Sequence, residues 1–387
     1  MNKRILFVDD ESAVLDGLRN LLRRQRHVWD MVFVTSGSAA LTELARGPFD
    51  VIVSDLRMPQ MDGSQLLQRV KDRYPAMARI VLSGHAERDT VVRALPVAHQ
   101  FLSKPCDADV LRVVIERTCA LQALLQDEAI RRVVGRIDKL PSVPSTYLDL
   151  TRAIGRPEVR VADLAPIVER DPAMAVKVLQ LVNSEYFGLS QPIVSIRHAV
   201  VYLGVELLKG LALTASVFST VERRAGSLPL ERLQQEALLT ARMVKRFLTD
   251  PTRAEEAFTA AIVRDVGKLV LALEFPEIYR ATSETPPGRP RVEVEADRLG
   301  VTHAEVGAWL LGMWGVPFPI VEAVAHHHAP SRVTEGAREV LGAVHAADVW
   351  VTGDGPLDEG FLRRAGLYDR VPTWRAIADE ELAGVPV

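Results

Sequence analysis

Three aspartates are the residues best placed to do chemistry. Asp9 and Asp10 close the apolar run Ile5-Leu6-Phe7-Val8, and Asp55 closes Val51-Ile52-Val53-Ser54. Directly after Asp55 comes Leu56-Arg57-Met58-Pro59-Gln60-Met61-Asp62-Gly63, a loop shaped by proline and glycine. Carboxylates at the carboxyl ends of buried strands lie where open α/β sheets bind ligands. A cluster of acids suits a hard divalent cation, which prefers oxygen ligands. The chemistry on offer is therefore a Mg2+-assisted phosphate site with Asp55 as phosphoryl acceptor.

The elements that must hold these residues alternate strand and helix. Ile5–Val8, Met31–Val34, Val51–Val53, Arg79–Leu82 and Gln100–Leu102 read as five short strands. Between them Val14, Leu15, Leu18, Leu21 and Leu22 stripe one helix, Leu41 and Leu44 a second capped by Ser36, and Leu66, Leu67 and Val70 a third. A weaker helix covers about 87–95, and the last begins near Asp107. Strands alternating with helices predict an α/β doubly wound five-stranded parallel sheet. In that architecture Asp9, Asp10, Asp55, Ser83 and Lys104 all fall on one edge, so distant residues share a pocket.

Residues 1–122 resemble the receiver domain of two-component response regulators, with its flavodoxin-like fold. The resemblance rests on the acidic pair after strand one and on Asp55 with Met58-Pro59-Gln60-Met61-Asp62-Gly63. It rests equally on Ser83 after strand four and Lys104-Pro105 after strand five. It implies that Asp55 accepts a phosphoryl group from a histidine kinase or phosphotransfer protein. Asp10, Asp55 and the Arg57 backbone carbonyl would ligate Mg2+, with Asp9 acting through water. Ser83 would bond a phosphoryl oxygen, Lys104 would pair with the phosphoryl charge, and Phe101 with Ser83 would form the switch. Each residue also has a plainer reading: Asp55 or the Asp9-Asp10 pair as caps, Lys104 as surface charge, Phe101 as core. Their coincidence in order and position argues for the site. His85 and His99 read as surface or rim residues, and Cys106 as structural.

After residue 107 the pattern changes. Leu111, Val114, Thr118, Leu121 and Leu125 recur at spacings of three and four over about two heptads, short of a coiled coil. One face packed on the receiver sheet is the preferred reading; a rigid connector with a homodimer seam is the alternative. A connecting segment at 123–136 ends at the breakers Gly135 and Pro141-Ser142-Val143-Pro144. From 137 to 350 the pattern is helical. Asp171-Pro172 and Ser195 start helices, Gly204 interrupts one before it resumes over 205–217, and 228–248 and 254–273 read as two long helices. Thr282–Pro290 reads as an exposed loop, and Thr302-His303-Ala304-Glu305 as a capping box.

This second region resembles the HDOD domain, an all-α, HD-like helical relative of metal phosphohydrolases. The matching motifs include Leu140-Pro141-Ser142-Val143-Pro144, Glu169-Arg170-Asp171-Pro172-Ala173-Met174 and Leu181-Val182-Asn183-Ser184. Ala199-Val200-Val201-Tyr202-Leu203-Gly204, Val266-Gly267-Lys268-Leu269 and His303-Ala304-Glu305-Val306-Gly307 complete them. A receiver joined to an HDOD domain looks like a class of bacterial response regulator without a DNA-binding output. No candidate helix has a clustered basic face, so direct DNA binding is not expected.

The resemblance implies a degenerate HD site. The His-Asp pair position reads Arg264-Asp265, the first histidine position reads Glu236, and Asp348 fits the distant aspartate. His303 and one of His326 or His327 match the extra histidines of cyclic-dinucleotide phosphodiesterases, but Ala329-Pro330 follows where a Gly-Tyr-Pro motif should. A guanidinium has no lone pair for a metal. An ion pair from Arg264 to Asp265 or Glu236 could replace the ion, so no metal is expected in the HDOD domain. Consecutive residues on a helix point about 100° apart, so His326-His327-His328 are not expected to share one site. His198 reads as a helix-surface residue.

The bulk numbers agree with two or three folded domains. The 387 residues are 48% hydrophobic and 25% charged, with a net charge of -3. Two cysteines, Cys106 and Cys119, cannot build a disulfide framework, and no apolar run approaches the ~20 residues of a membrane span. With no signal-peptide core either, a cytoplasmic protein is expected. Residues 351–387 read as a C-terminal helical tail, with short helices near 357–367 and 374–382. Two functions follow. The favoured one is a non-catalytic HDOD module that binds downstream signalling proteins under phosphoryl control at Asp55. The rival is a receiver-regulated metallohydrolase, or a nucleotide sensor.

Overall fold

The computed structural model describes residues 3–384, apart from 85–93, 95–96, 125–129, 132–133, 136, 138–139, 141–143, 157, 185–186, 188, 190, 215–228, 284–288, 335 and 337. The chain divides into two compact units. One comprises Met1–Asp138 with Asn183–Gln191 and Gly312–Gly315; the other comprises Lys139–Val182, Pro192–Leu311 and Val316–Val387.

In the first unit the elements run β1 (Lys3–Val8), α1 (Ser12–Leu21), β2 (Trp29–Val34), α2 (Gly37–Arg46), β3 (Val51–Ser54), α3 (Gly63–Arg73), β4 (Ala78–Ser83), β5 (Gln100–Ser103) and α4 (Ala108–Leu124). The sheet order is β2-β1-β3-β4-β5, and every pairing is parallel. This is the doubly wound arrangement expected from the alternating pattern. Its strands are apolar on both faces because helices cover both: Ile5, Leu6, Phe7, Val51, Ile52 and Ile80 are fully buried. Ser36 caps α2 through the Ala39 amide at 3.2 Å, and Asp62 caps α3 through the Gln65 amide at 2.8 Å. The helix expected at 87–95, with His85, lies outside the described residues.

One reading changes here. His99 is buried, not at the rim: its Nδ1 lies 3.1 Å from the Arg79 amide and its Nε2 lies 2.7 Å from the Arg79 guanidinium. Arg79 itself is buried and donates to the carbonyls of Val97, Pro75, Met77 and Gly135. On α4 the buried face is Leu111, Ile115, Thr118 and Cys119, whereas Val114 is only half-buried. Helix α4 thus buries one face, the preferred reading of this stretch. The side chain of Leu121 and all of Leu125 lie outside the described residues.

The second unit is helical throughout the described residues: α5 (Pro144–Ile154), α6 (Val161–Glu169), α7 (Pro172–Val182), α8 (Ile196–Thr214), α9 (Leu230–Phe247), α10 (Pro251–Val263), α11 (Val266–Glu274), α12 (Pro276–Ser283), α13 (Arg291–Leu299), α14 (His303–Met313), α15 (Phe318–His326), α16 (Arg338–Thr352), α17 (Glu359–Arg364) and α18 (Val371–Ala383). Helix α8 packs on α5, α6 and α7, while α9 and α10 form the centre against α15, α16 and α18. Gly204 breaks α8 with φ 73°, a left-handed value that glycine adopts at little cost. The expected continuation over 215–217 and the heart of the 282–290 loop lie outside the described residues. The tail is an integral layer: Trp374 donates to the Phe247 carbonyl at 3.0 Å and stacks on its ring at 5.1 Å.

One expected helix is two. The span 254–273 is cut at Arg264-Asp265, between α10 and α11. Asp265 takes φ -97° and ψ 11°, and the Lys268 amide bonds the Asp265 carbonyl at 2.9 Å. Aspartate favours helix starts over interiors because its short side chain bonds nearby polar groups.

Candidate functional site

The acidic site forms because parallel strands deliver their carboxyl ends to one edge. The Asp55 amide bonds the Val8 carbonyl at 2.9 Å, so Asp9 and Asp55 emerge side by side. Carboxylate oxygens of Asp9, Asp10 and Asp55 lie within 4.8 Å of one another. Lys104, on the turn after β5, places Nζ 2.6 Å from Asp9 and 3.2 Å from Asp55. Gly63 closes the loop under the acceptor: its amide bonds the Leu56 carbonyl at 2.8 Å, and a Cβ there would fall 2.0 Å from the Asp55 carbonyl oxygen. Only glycine permits that approach.

Burial pushes the Asp55 carboxyl above its ordinary range, and Lys104 offsets part of the effect. Burial opposes the Lys104 charge as well, but bonds to Asp9 and Asp55 prevail and its pKa is raised. The oxygen-only donor set and a partly desolvated carboxylate fit a hard divalent cation such as Mg2+. Arg57 borders the adjoining cleft with Asp10 and Asp62. Phe101 is in the core, 3% exposed. Ser83 ends β4; its side chain lies outside what is described.

The second cluster gathers residues 84 positions apart in the helical unit. Arg264 is fully buried and donates from Nε to Asp348 at 2.7 Å and from Nη1 to the Ala261 carbonyl at 2.8 Å. Its Nη2 lies 3.4 Å from Asp265. Asp265 also faces Lys268 Nζ at 2.7 Å and His303 Nε2 at 3.3 Å. Burial alone would raise the Asp265 carboxyl; Lys268, Arg264 and His303 outweigh it and hold it well below the usual range. Glu236 is not bonded to Arg264 and instead accepts from Arg232 at 2.8 Å.

Close packing makes this convergence possible. A Cβ on Gly267 would sit 1.9 Å from the His303 carbonyl oxygen, so α11 and α14 touch backbone to backbone. The capping box forms as expected, with Thr302 and Glu305 bonding each other's amides at 2.9 and 3.2 Å.

The histidines depart from the sequence reading. His327 and His328 join His303, and one nitrogen from each lies within 4.8 Å of the others; His326 is not in the group. Helix α15 ends at His326; His327 keeps helical dihedrals at the cap, His328 lies in the turn beyond, and their ring centroids come within 4.0 Å. Burial pushes His327 down to about 4 and His328 well below its ordinary value. Burial would lower His303 too, but Glu295 and Asp265 raise it. Glu295 escaped the sequence reading. Its carboxylate accepts from the His303 amide at 2.8 Å and lies 2.6 Å from His303 Nδ1, yet it stands one helix earlier, with no local signal. His345 is structural: Nδ1 bonds the His327 carbonyl at 2.6 Å, and Nε2 accepts from the Asp358 amide at 2.9 Å. His198 is exposed, as its helix position implies.

An open parallel sheet with clustered acids and a lysine at its carboxyl edge, followed by an HD-like helical unit, defines a class of signalling regulator. Family comparison agrees, matching residues 5–116 to the response regulator receiver domain and residues 140–330 to the HDOD domain. The chain belongs to the two-component response regulators that carry a receiver and an HDOD domain. An uncharacterized protein from Treponema pallidum is 25% identical over 275 residues, covering 69% of this chain and 51% of that one. The response regulator protein FleR from Pseudomonas aeruginosa is 35% identical over 118 residues, or 30% of this chain and 24% of that one. The chain thus spans about half and about a quarter of those relatives. Among solved structures, the MmoQ response regulator from Methylococcus capsulatus is 26% identical with a TM-score of 0.49, covering 62% of this chain and 98% of that one. Among the described residues, no helix is long and apolar enough to cross a membrane.

Proposed function

We propose that phosphoryl transfer from a histidine kinase or phosphotransfer protein to Asp55 controls a non-catalytic HDOD module that binds downstream signalling proteins. The observation that carries this reading is the contrast between two carboxylates. Asp55 shares one lysine and has two acidic neighbours, of which Asp10 is exposed, whereas Asp265 is ringed by Lys268, Arg264 and His303. Asp10, Asp55 and the Arg57 carbonyl would hold Mg2+, with Asp9 acting through water. When bound, the ion would neutralise charge on the phosphoryl oxygens. Lys104 would pair with those oxygens, and Ser83 would bond one of them. The modification adds ~1.5–2 negative charges, enough to bias a loop between two arrangements and draw Phe101 with it.

A second reading, a metal-dependent cyclic-dinucleotide phosphodiesterase or nucleotide sensor, is favoured by the converging imidazoles. Arg264 opposes it, because a guanidinium stands where a metal ligand is needed. The test pairs wild type with Asp55→Ala. Acetyl phosphate with Mg2+ should give a base-labile adduct on wild type alone, by intact mass. Pull-downs with and without a stable phosphoryl mimic should then differ for wild type and not for the variant. Identical capture in all four samples, or turnover of a cyclic dinucleotide, would overturn the proposal.

A further inference from the structure

The imidazole cluster carries more than a structural role. Two of its three rings are held by a hydrogen bond at Nδ1. His303 Nδ1 lies 2.6 Å from a Glu295 carboxylate oxygen. His327 Nδ1 lies 2.8 Å from the Val324 carbonyl. His328 Nδ1 faces Asp348 Oδ2 at 3.8 Å. Donation from Nδ1 to Glu295 and to Val324 fixes those two tautomers and turns Nε2 toward a ligand, the outer-shell pattern of metal-binding histidines; His303 Nε2 also lies 3.3 Å from Asp265, a contact that a bound ion would replace. The Nε2 atoms of His303 and His328 stand 3.1 Å apart, at hydrogen-bond distance. Two nitrogens bound to one tetrahedral ion at ~2.0–2.1 Å would be separated by about 3.4 Å. The third, His327 Nε2, is fully buried and has no hydrogen-bond partner.

Asp265 already faces the charges of Arg264 and Lys268, which compete with a cation for it.

We infer that His303, His327 and His328 form a mononuclear site for a divalent transition metal of the zinc class, with a fourth position open to water or an anion. Imidazole ligands favour Zn2+, Co2+, Ni2+ or Cu2+ over Mg2+. The Arg264 guanidinium holds Asp348 and approaches Asp265 beside it. This goes beyond the proposed function, does not depend on phosphoryl control, and departs from the expectation of a metal-free domain, which rested on Arg264 in place of a ligating histidine.

The test uses the full chain carrying Asp10→Asn and Asp55→Asn, so that receiver acids do not take up the probe. Co2+ is titrated and its visible absorption followed. The expected result is a tetrahedral nitrogen-type band saturating at one equivalent, lost in His327→Gln and in His328→Gln and retained in His326→Gln. Zn2+ at a hundredfold excess over Kd should raise the melting temperature of the unsubstituted helical unit by roughly 5–10 °C. A flat titration, a band indifferent to His327 and His328, or no thermal shift in the unsubstituted protein would overturn the site. The thermal measurement keeps the inference testable even where a glutamine variant fails to fold.

Discussion

Replacing Arg264 with methionine tests whether a guanidinium ties the HDOD core together. The substitution removes the 2.7 Å bond to Asp348, the 2.8 Å bond to the Ala261 carbonyl and the 3.4 Å approach to Asp265. Lys268 and His303 still face Asp265. Most of the cost therefore falls on Asp348, which is 1% exposed and keeps only His328 at 3.8 Å. A buried carboxylate stripped of its partner costs about 3–5 kcal/mol, and the bond to Ala261 adds about 1 kcal/mol. For a unit of this size, that is a fall in melting temperature of roughly 8–20 °C. Urea unfolding followed by far-UV circular dichroism reads the change directly. Adding Asp348→Asn to Arg264→Met removes the orphaned charge, so the double variant should recover at least half the loss. An Arg264→Met protein within about 1 kcal/mol of wild type, the range of ordinary substitutions, would refute the argument. So would a double variant that loses the sum of both singles.

Two further outcomes follow from the receiver. Gly63→Ala puts a methyl 2.0 Å from the Asp55 carbonyl oxygen, against backbone that has no flexible end to yield. It should destabilise the receiver by about 1–3 kcal/mol and slow phosphorylation by acetyl phosphate, both measured on one preparation. Cys119 is buried on α4 and its thiol is pushed up to about 11 by desolvation, leaving roughly one part in a thousand ionised at pH 8. Iodoacetamide should label Cys106 at least tenfold faster than Cys119 in the native protein, by peptide mass, and equal rates would contradict the packing of α4.

How much of this is legible in the sequence depends on the range of the interactions. The sheet was legible because five apolar runs alternate with striped helices, and a parallel sheet gathers every strand end on one edge. Asp9, Asp10, Asp55 and Lys104 could therefore be placed together from order alone. Local capping was legible for the same reason: Ser36, Thr302 and Glu305 act on amides three residues away. His99 was misplaced because its burial depends on Arg79, twenty residues earlier and on the neighbouring strand.

In the helical unit the sequence determined which residue types are present, above all an arginine where a metal-ligand pair would need a histidine. Tertiary structure decided what they do. The break at Asp265, the end of α15 at His326 and the backbone contact at Gly267 together bring Glu295, His303, His327, His328 and Asp348 around one point. Helical periodicity describes only residues within one element. Where two helices stop, and how closely glycine lets them approach, is set by packing against partners far along the chain.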